Sequence, residues 1–283
     1  MASSDCDTEL LKFPRTQHLF DAGGSGVSRD DLVMDSGTAE LFYTPERGRG
    51  AAAGEIIVEV EEKVDGANLG ISIDDGGQLR AQNRSHYVDS STHKQFSALD
   101  GWLEEHRGEL YDLLSPGNDI LYGEWLAAKH SIHYTNLPDL FLAFDLFDRR
   151  AQRFCSRRER DRRLSESTSL STVRLVYSGL LRNKQHVLDL LEEQSRFYDG
   201  PIEGVYIRID EDAPGTTAMR LPLADSHGRK KGKGKASRSA GAGASEAGPW
   251  LRLRGKVVRP DFLQNIEEQW TRQKFTKNIV TYA

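Results

Sequence analysis

One stretch constrains this chain more than any other: a β-branched run that halts at a lysine and a glycine turn. Ile56, Ile57, Val58 and Val60 lead into Glu61-Glu62-Lys63-Val64-Asp65-Gly66-Ala67-Asn68. The run reads as a buried strand, and Gly66 as the turn that ends it. Lys63 is then an amine at a strand end, held still and partly desolvated. Desolvation lowers a lysine's pKa and makes it a usable nucleophile near neutral pH. An amine there can attack the α-phosphate of a nucleotide and form a covalent lysyl-nucleotide. Asp65 sets a carboxylate beside it, able to hold a hydrated metal ion against phosphate. Lys-x-Asp-Gly alone also fits an exposed surface turn, so its weight rests on the segments downstream of it.

The rest of the chain reads as strands scattered among helices. Gly70–Ile73 and Leu79–Gln82 flank Asp75-Gly76-Gly77, which predicts a hairpin directly after the lysine. Phe96, Leu99, Trp102, Leu103, Leu110 and Leu113 fall on one stripe of a helix expected over 93–114, closed by Ser115-Pro116-Gly117. Strands are expected over 120–126, 140–147, 173–177, 202–209 and 251–258. Ser156 and Glu159 form a capping box that opens a short helix. Further helices are expected over 183–197 and 262–280. Without a regular βαβ alternation, the fold class is α+β with antiparallel sheets.

Composition bounds the setting. At 283 residues with a formal net charge of −5, the chain is not a general coat for nucleic acid; a polyanion must meet local basic patches. Cys6 and Cys155 make neither a disulfide framework nor a zinc site. No run of 18 apolar residues and no signal peptide is present, so a soluble intracellular protein, cytoplasmic or nuclear, with no membrane partner is expected. Residues 1–11 and the basic, Gly/Ser/Ala-rich stretch 225–248 are expected to be disordered. The basic stretch reads as a tolerated insertion or as a tether for polyanion. The eight arginines between Arg149 and Arg163 read as a solvated helix face or as a phosphate track.

Downstream of Lys63, the distinctive segments come in a fixed order. Asn83-Arg84-Ser85 is followed by Leu121-Tyr122-Gly123-Glu124-Trp125 and Phe141-Leu142-Ala143-Phe144-Asp145. Ile202-Glu203-Gly204-Val205-Tyr206-Ile207 and Leu253-Arg254-Gly255-Lys256-Val257-Val258 complete the series. The series resembles the covalent nucleotidyltransferase superfamily of polynucleotide ligases and mRNA capping enzymes, and within it the ATP-dependent RNA ligases. The resemblance runs from about Lys12 to the C-terminus. It implies one nucleotidyltransferase domain over 12–283, an ATP-grasp-like arrangement of antiparallel sheets flanked by helices. It also implies ATP and Mg²⁺ or Mn²⁺ as cofactors, and RNA with 5′-phosphate and 3′-hydroxyl ends as partner. The implied chemistry is three in-line phosphoryl transfers: to the lysine, to the 5′-phosphate, and to the 3′-hydroxyl with release of AMP. Catalysis of such steps comes from positioning and fixed charge.

The resemblance carries over residue by residue. It makes Lys63 the covalent nucleophile, and Asp65, Glu124 and Glu203 the carboxylates of the metal site, with Glu124 also able to grip a ribose hydroxyl. It gives Arg84 to the ribose or donor 5′-phosphate, Phe144 to the face of adenine, and Asn68 to the outgoing pyrophosphate. Glu62 is expected at the adenine edge. Arg254 and Lys256 alternate on one strand, where two cations would sit over the α-phosphate and leaving group. The family usually has lysine at both positions; here the first is arginine. The segment 127–134, with Lys129, His130, His133 and Tyr134, resembles a region of bacterial and eukaryotic relatives and reads as substrate contact or structure rather than a metal site.

Only 27 residues follow Lys256 and 62 precede Lys63, so no separate OB-fold is expected. The RNA contacts then come from the catalytic domain or from a partner chain. A DNA nick ligase, a GTP-using capping enzyme, and a non-catalytic RNA-binding or sensing module of the same fold are the alternative readings.

Overall fold

The computed structural model describes residues 10–44, 56–213, 248–262 and 275–281. Residues 1–9 of the expected disordered lead, and all of the basic stretch 225–248 except Gly248, lie outside them. Two antiparallel sheets form the frame. The first contains β1 (Val58–Lys63), β7 (Leu175–Gly179), β8 (Gly204–Asp210) and β9 (Leu251–Val258), in the order β7-β1-β8-β9. The second contains β2 (Ala67–Ile73), β3 (Leu79–Gln82), β4 (Asp119–Trp125), β5 (Phe141–Asp148) and β6 (Arg153–Phe154), in the order β3-β2-β4-β5-β6. The expected α+β class with antiparallel sheets is what forms.

The chain leaves the first sheet at Lys63 and enters the second at Ala67, so Val64-Asp65-Gly66 is the joint between the sheets. Gly66 is required there by close approach. A Cβ on it would lie 2.6 Å from the Trp125 carbonyl oxygen and 3.0 Å from Glu124 Cγ. Alternation along the strands then decides what faces what. Val58, Val60, Val205, Ile207, Leu253 and Val257 bury one side of the first sheet in an apolar core. Leu69, Ile71, Leu121, Phe141 and Ala143 bury one side of the second against Trp102, Leu110 and Leu113.

The helices are shorter than the periodicity predicts. The stretch 93–114 divides into a 3-10 turn (Lys94–Phe96), α2 (Leu99–Glu105) and α3 (Arg107–Leu113), after a short α1 (Ser36–Glu40) near the N-terminus. His106, non-helical at φ −95° and ψ 10°, ends one helix and starts the next. The apolar stripe survives the break because both pieces rest on the same core. Only the N-cap half of the expected capping box forms at α4 (Arg157–Ser167): Ser156 Oγ accepts from Glu159 N at 3.2 Å, while Ser156 N donates to the Pro249 carbonyl and the Glu159 carboxylate pairs with Arg162. The helix expected over 183–197 stops early as α5 (Lys184–Leu190). Of the tail expected to be helical, 263–274 lie outside the described residues. Residues 275–281 run extended, bridging Ala128 and Leu137 through Lys277 and Val280.

Candidate active site

A cavity of about 640 Å³ opens where the two sheets diverge from the joint. The first sheet contributes Lys63, Tyr206 and Lys256; the second contributes Asn68, Glu124 and Phe144, with Arg84 from the loop after β3. Strand pairing fixes these positions. Lys63 pairs with Gly204, which sets Glu203 beside it; Asn68 pairs with Glu124; Tyr206 pairs with Lys256. Seven of the residues singled out in the sequence therefore border one cavity: Glu62, Lys63, Asn68, Arg84, Glu124, Phe144 and Lys256.

Lys63 Nζ lies 2.6 Å and 2.8 Å from the two carboxylate oxygens of buried Glu203. Burial alone lowers the Lys63 pKa. The carboxylates of Glu203, Glu124 and Asp65 more than offset that and raise it. The expectation of a lowered pKa is corrected on this point: three carboxylates outweigh desolvation, and the amine rests as an ammonium. Glu203 and Glu124 are each pushed up to about 7, chiefly by burial, although the ammonium pulls both the other way. Glu124 Oε1 also accepts from Gly66 N at 3.1 Å, which ties the second sheet to the turn.

Three predicted residues sit differently. Asp65 Oδ2 accepts from the amides of Ser131 and Ile132 at 2.6 Å and 3.1 Å, so this carboxylate braces the 127–134 segment. Among the described residues, no group of three His, Cys, Asp or Glu side chains is gathered that could hold a metal ion. The remaining pair, Glu124 and Glu203, still fits a cation that keeps most of its water, because two buried carboxylates there flank one Lys63 ammonium. Glu62 borders the cavity, but its carboxylate accepts from Ser195 Oγ at 2.5 Å and lies 4.0 Å from Arg174 Nε. Arg254 is not on the cavity wall. Its Nη1 donates to Asp145 Oδ2 at 2.8 Å, and its guanidinium stacks 4.7 Å from the Phe13 ring centroid and 4.3 Å from that of Phe154.

The cavity's remaining wall comes from the N-terminal lead and the loop around Asp31, neither of which any sequence pattern marks as part of a site. Phe13, Arg15, Thr16, Asp31 and Leu32 line it. The lead runs parallel to β9: Lys256 N donates to Gln17 O at 3.0 Å, and Leu19 N donates to Lys256 O at 2.8 Å. Thr16 Oγ1 and the Tyr206 hydroxyl lie 3.1 Å apart, and Phe13 meets Phe144 edge-on with centroids 5.3 Å apart. Lys256 Nζ donates to Asp31 Oδ1 at 2.9 Å. Burial and the neighbouring Lys63 lower the Lys256 pKa. Buried His18 lies behind this pair, its ring held neutral by burial and by Lys256, with a pKa down to about 4. Phe13-Pro14 marks an extended segment, but nothing local in the sequence says which strand it joins.

The arginine-rich stretch divides: Arg150, Arg158 and Arg162 lie on the solvated face, while others turn inward to carboxylates. Arg160 is fully buried, with Nη2 donating to Glu61 Oε1 at 2.7 Å and Nη1 donating to the Phe144 carbonyl. Arg163 pairs with Asp119 at 2.6 Å, and Arg157 with Asp161 at 2.9 Å. Buried Arg208 reaches Asp145 at 3.2 Å and Asp210 at 3.2 Å. Together these side chains form an ionic layer between the sheets, behind the cavity.

No curated protein matches the chain at a significant level. Among solved structures, a Naegleria gruberi RNA ligase variant with ATP and Mn is 15% identical over 56% of this chain and 47% of its own, at a TM-score of 0.42. An archaeal ATP-dependent RNA ligase is 18% identical over 73% of this chain and 49% of its own, at a TM-score of 0.43. The chain spans about half the length of the solved relatives it matches. The RNA ligase family model matches residues 56–221, from the strand that carries Lys63 past the strand that follows Glu203. That match takes in more than half of the chain, and by it the chain belongs to the RNA ligase family.

Proposed function

We infer that this chain is an ATP-dependent RNA ligase that joins 5′-phosphate and 3′-hydroxyl ends through a lysyl-AMP on Lys63. The observation that carries the reading is the Lys63–Glu203 pair. Lys63 lines a cavity walled by both sheets, with Glu124 and Lys256 on the same cavity, and buried Glu203 holds its amine from outside the lining. Lys63 Nζ attacks the α-phosphorus of ATP, the P–N bond forms, and the bond to pyrophosphate breaks. One ammonium proton passes to Glu203, which accepts its hydrogen bond and is pushed up to about 7, and the second N–H proton leaves to solvent as the P–N bond forms. Phe144 packs against adenine, Glu62 bounds the base edge, and Glu124 grips the ribose. Asn68, Arg84 and Lys256 bear on the phosphates. Glu124 and Glu203 are the residues that would hold a hydrated Mg²⁺ or Mn²⁺, whose charge favours the neutral amine and offsets phosphate charge. Asp65 serves by bracing the turn. The AMP then passes to an RNA 5′-phosphate, and a 3′-hydroxyl displaces it.

The direct test is incubation with α-³²P-ATP and Mg²⁺ or Mn²⁺, denaturation, and detection of label on the chain. Label from ATP in the native protein and none in Lys63→Ala is expected. Label from GTP in place of ATP would move the chain to the capping enzymes. RNA binding without covalent nucleotide, in a protein free of pre-bound AMP by mass, would favour a binding module. A pre-adenylated donor skips the first attack, so Lys63→Ala should lose less of its sealing there than on 5′-phosphate ends.

A further inference from the structure

We propose that Arg15 binds a substrate phosphate at the cavity mouth, in the role that the family resemblance gives to Arg254. The inference rests on the ligase reading above. The Arg254 guanidinium is spent: it is paired with Asp145 at 2.8 Å, sandwiched between Phe13 and Phe154, and only 9% exposed. Reaching a phosphate would break a buried ion pair and two ring contacts, and would leave Asp145 uncompensated. A cation is therefore missing from the strand position that the resemblance assigns to phosphate.

Arg15 is a cation on the cavity wall that Arg254 does not reach. It lines the cavity with Lys63 and Lys256 and is exposed. Among the described residues its one hydrogen bond runs from Nη1 to the Asp30 carbonyl at 3.2 Å, and no carboxylate pairs with it. The guanidinium fork thus keeps most of its donors for a planar pair of phosphate oxygens. Its position is fixed from behind. Backbone bonds join Gln17 and Leu19 to Lys256, and Thr16 meets Tyr206. Phe13, two residues before Arg15, is the ring on which Arg254 stacks. Arg254 is thus a positioning residue: it anchors the segment that delivers Arg15.

The phosphate belongs either to the ATP tail or to the 5′ end of the RNA, and paired titrations separate the two. Calorimetry on the full chain compares ATP with adenosine, and a 5′-phosphorylated oligoribonucleotide with its 5′-hydroxyl form. Arg15→Ala should erase about tenfold of the phosphate-dependent gain in one of these pairs. It should leave adenosine and 5′-hydroxyl RNA within twofold, and Arg15→Lys should keep part of the gain. Unchanged gains in both pairs overturn the proposal, as does equal weakening of phosphorylated and unphosphorylated ligands. A silent Arg15→Ala beside a tenfold loss of the gain in Arg254→Ala would return the role to Arg254. These titrations require no turnover, so they test Arg15 even if Lys63 labelling fails, which sinks the ligase reading alone.

Discussion

Glu124 illustrates how the site trades stability for chemistry. Its carboxyl is pushed up to about 7 from an ordinary value of 4.5, chiefly by burial. The folded chain therefore holds that proton when the unfolded chain has lost it, and stability falls as pH rises from about 4.5 to 7. Glu124→Gln removes this loss and keeps an oxygen for the Gly66 amide. Its melting temperature should exceed the native protein's by a margin that grows over that window and levels off above it. At pH 8 the margin should be about 2–4 °C for each kcal/mol, with about 3 kcal/mol as the upper bound that the rise from 4.5 to about 7 sets. A margin that shrinks with rising pH would contradict the assignment. Label transfer should be lost in the same variant. In the native protein, label transfer should climb through pH 7 as Glu124 and Glu203 ionise and continue upward as Lys63 gives up its proton. A rate flat from pH 6 to 9 would refute a resting ammonium. The place of Lys63 at the end of a buried strand was legible from the β-branched run and Gly66. The sign of its pKa shift was not, because Glu124 and Glu203 arrive from positions 61 and 140 residues away.

The turn between β1 and β2 shows why spacing is strict at the level of elements. Gly66→Ala drives a methyl into the Trp125 carbonyl and Glu124 Cγ. Overpacking of this kind should cost about 1–3 kcal/mol. Because the clash falls on Glu124, label transfer should drop further than lost folding accounts for; a variant that melts early but labels normally once folded would show the turn to be only structural. Local chemistry made the neighbouring hairpin readable, since Asp75-Gly76-Gly77 fixes a turn within a few residues. It failed where distant partners decide. The break at His106 lets α2 and α3 each settle on the core, and 275–281 trade a helix for bridges to Ala128 and Leu137. The lead 13–19 was missed as a cavity wall for the same reason, since its partner, β9, lies some 240 residues downstream.

Across the whole molecule, the ionic layer behind the cavity holds the two sheets in register. Arg160 touches Glu61 on β1 and the Phe144 carbonyl on β5, and Arg208 on β8 reaches Asp145 on β5. Arg160→Met should destabilise the protein by about 3–5 kcal/mol in chemical denaturation, because Glu61 stays buried with less countercharge. A loss below ~1 kcal/mol would mean the layer is dispensable. The arginine cluster was visible in the sequence, but its carboxylate partners are scattered from Glu61 to Asp210, so composition alone could not tell an internal lattice from a surface stripe.

The joint at Val64-Asp65-Gly66 has a mechanical consequence. Lys63 and Glu203 ride on one sheet, while Asn68, Glu124 and Phe144 ride on the other. A slip of one sheet over the other preserves the ion pair but pulls Asn68, Glu124 and Phe144 away from Lys63. Lysine labelling is thus a gauge of how well two plates are seated, and under mild denaturant it should fade before the strands themselves begin to melt.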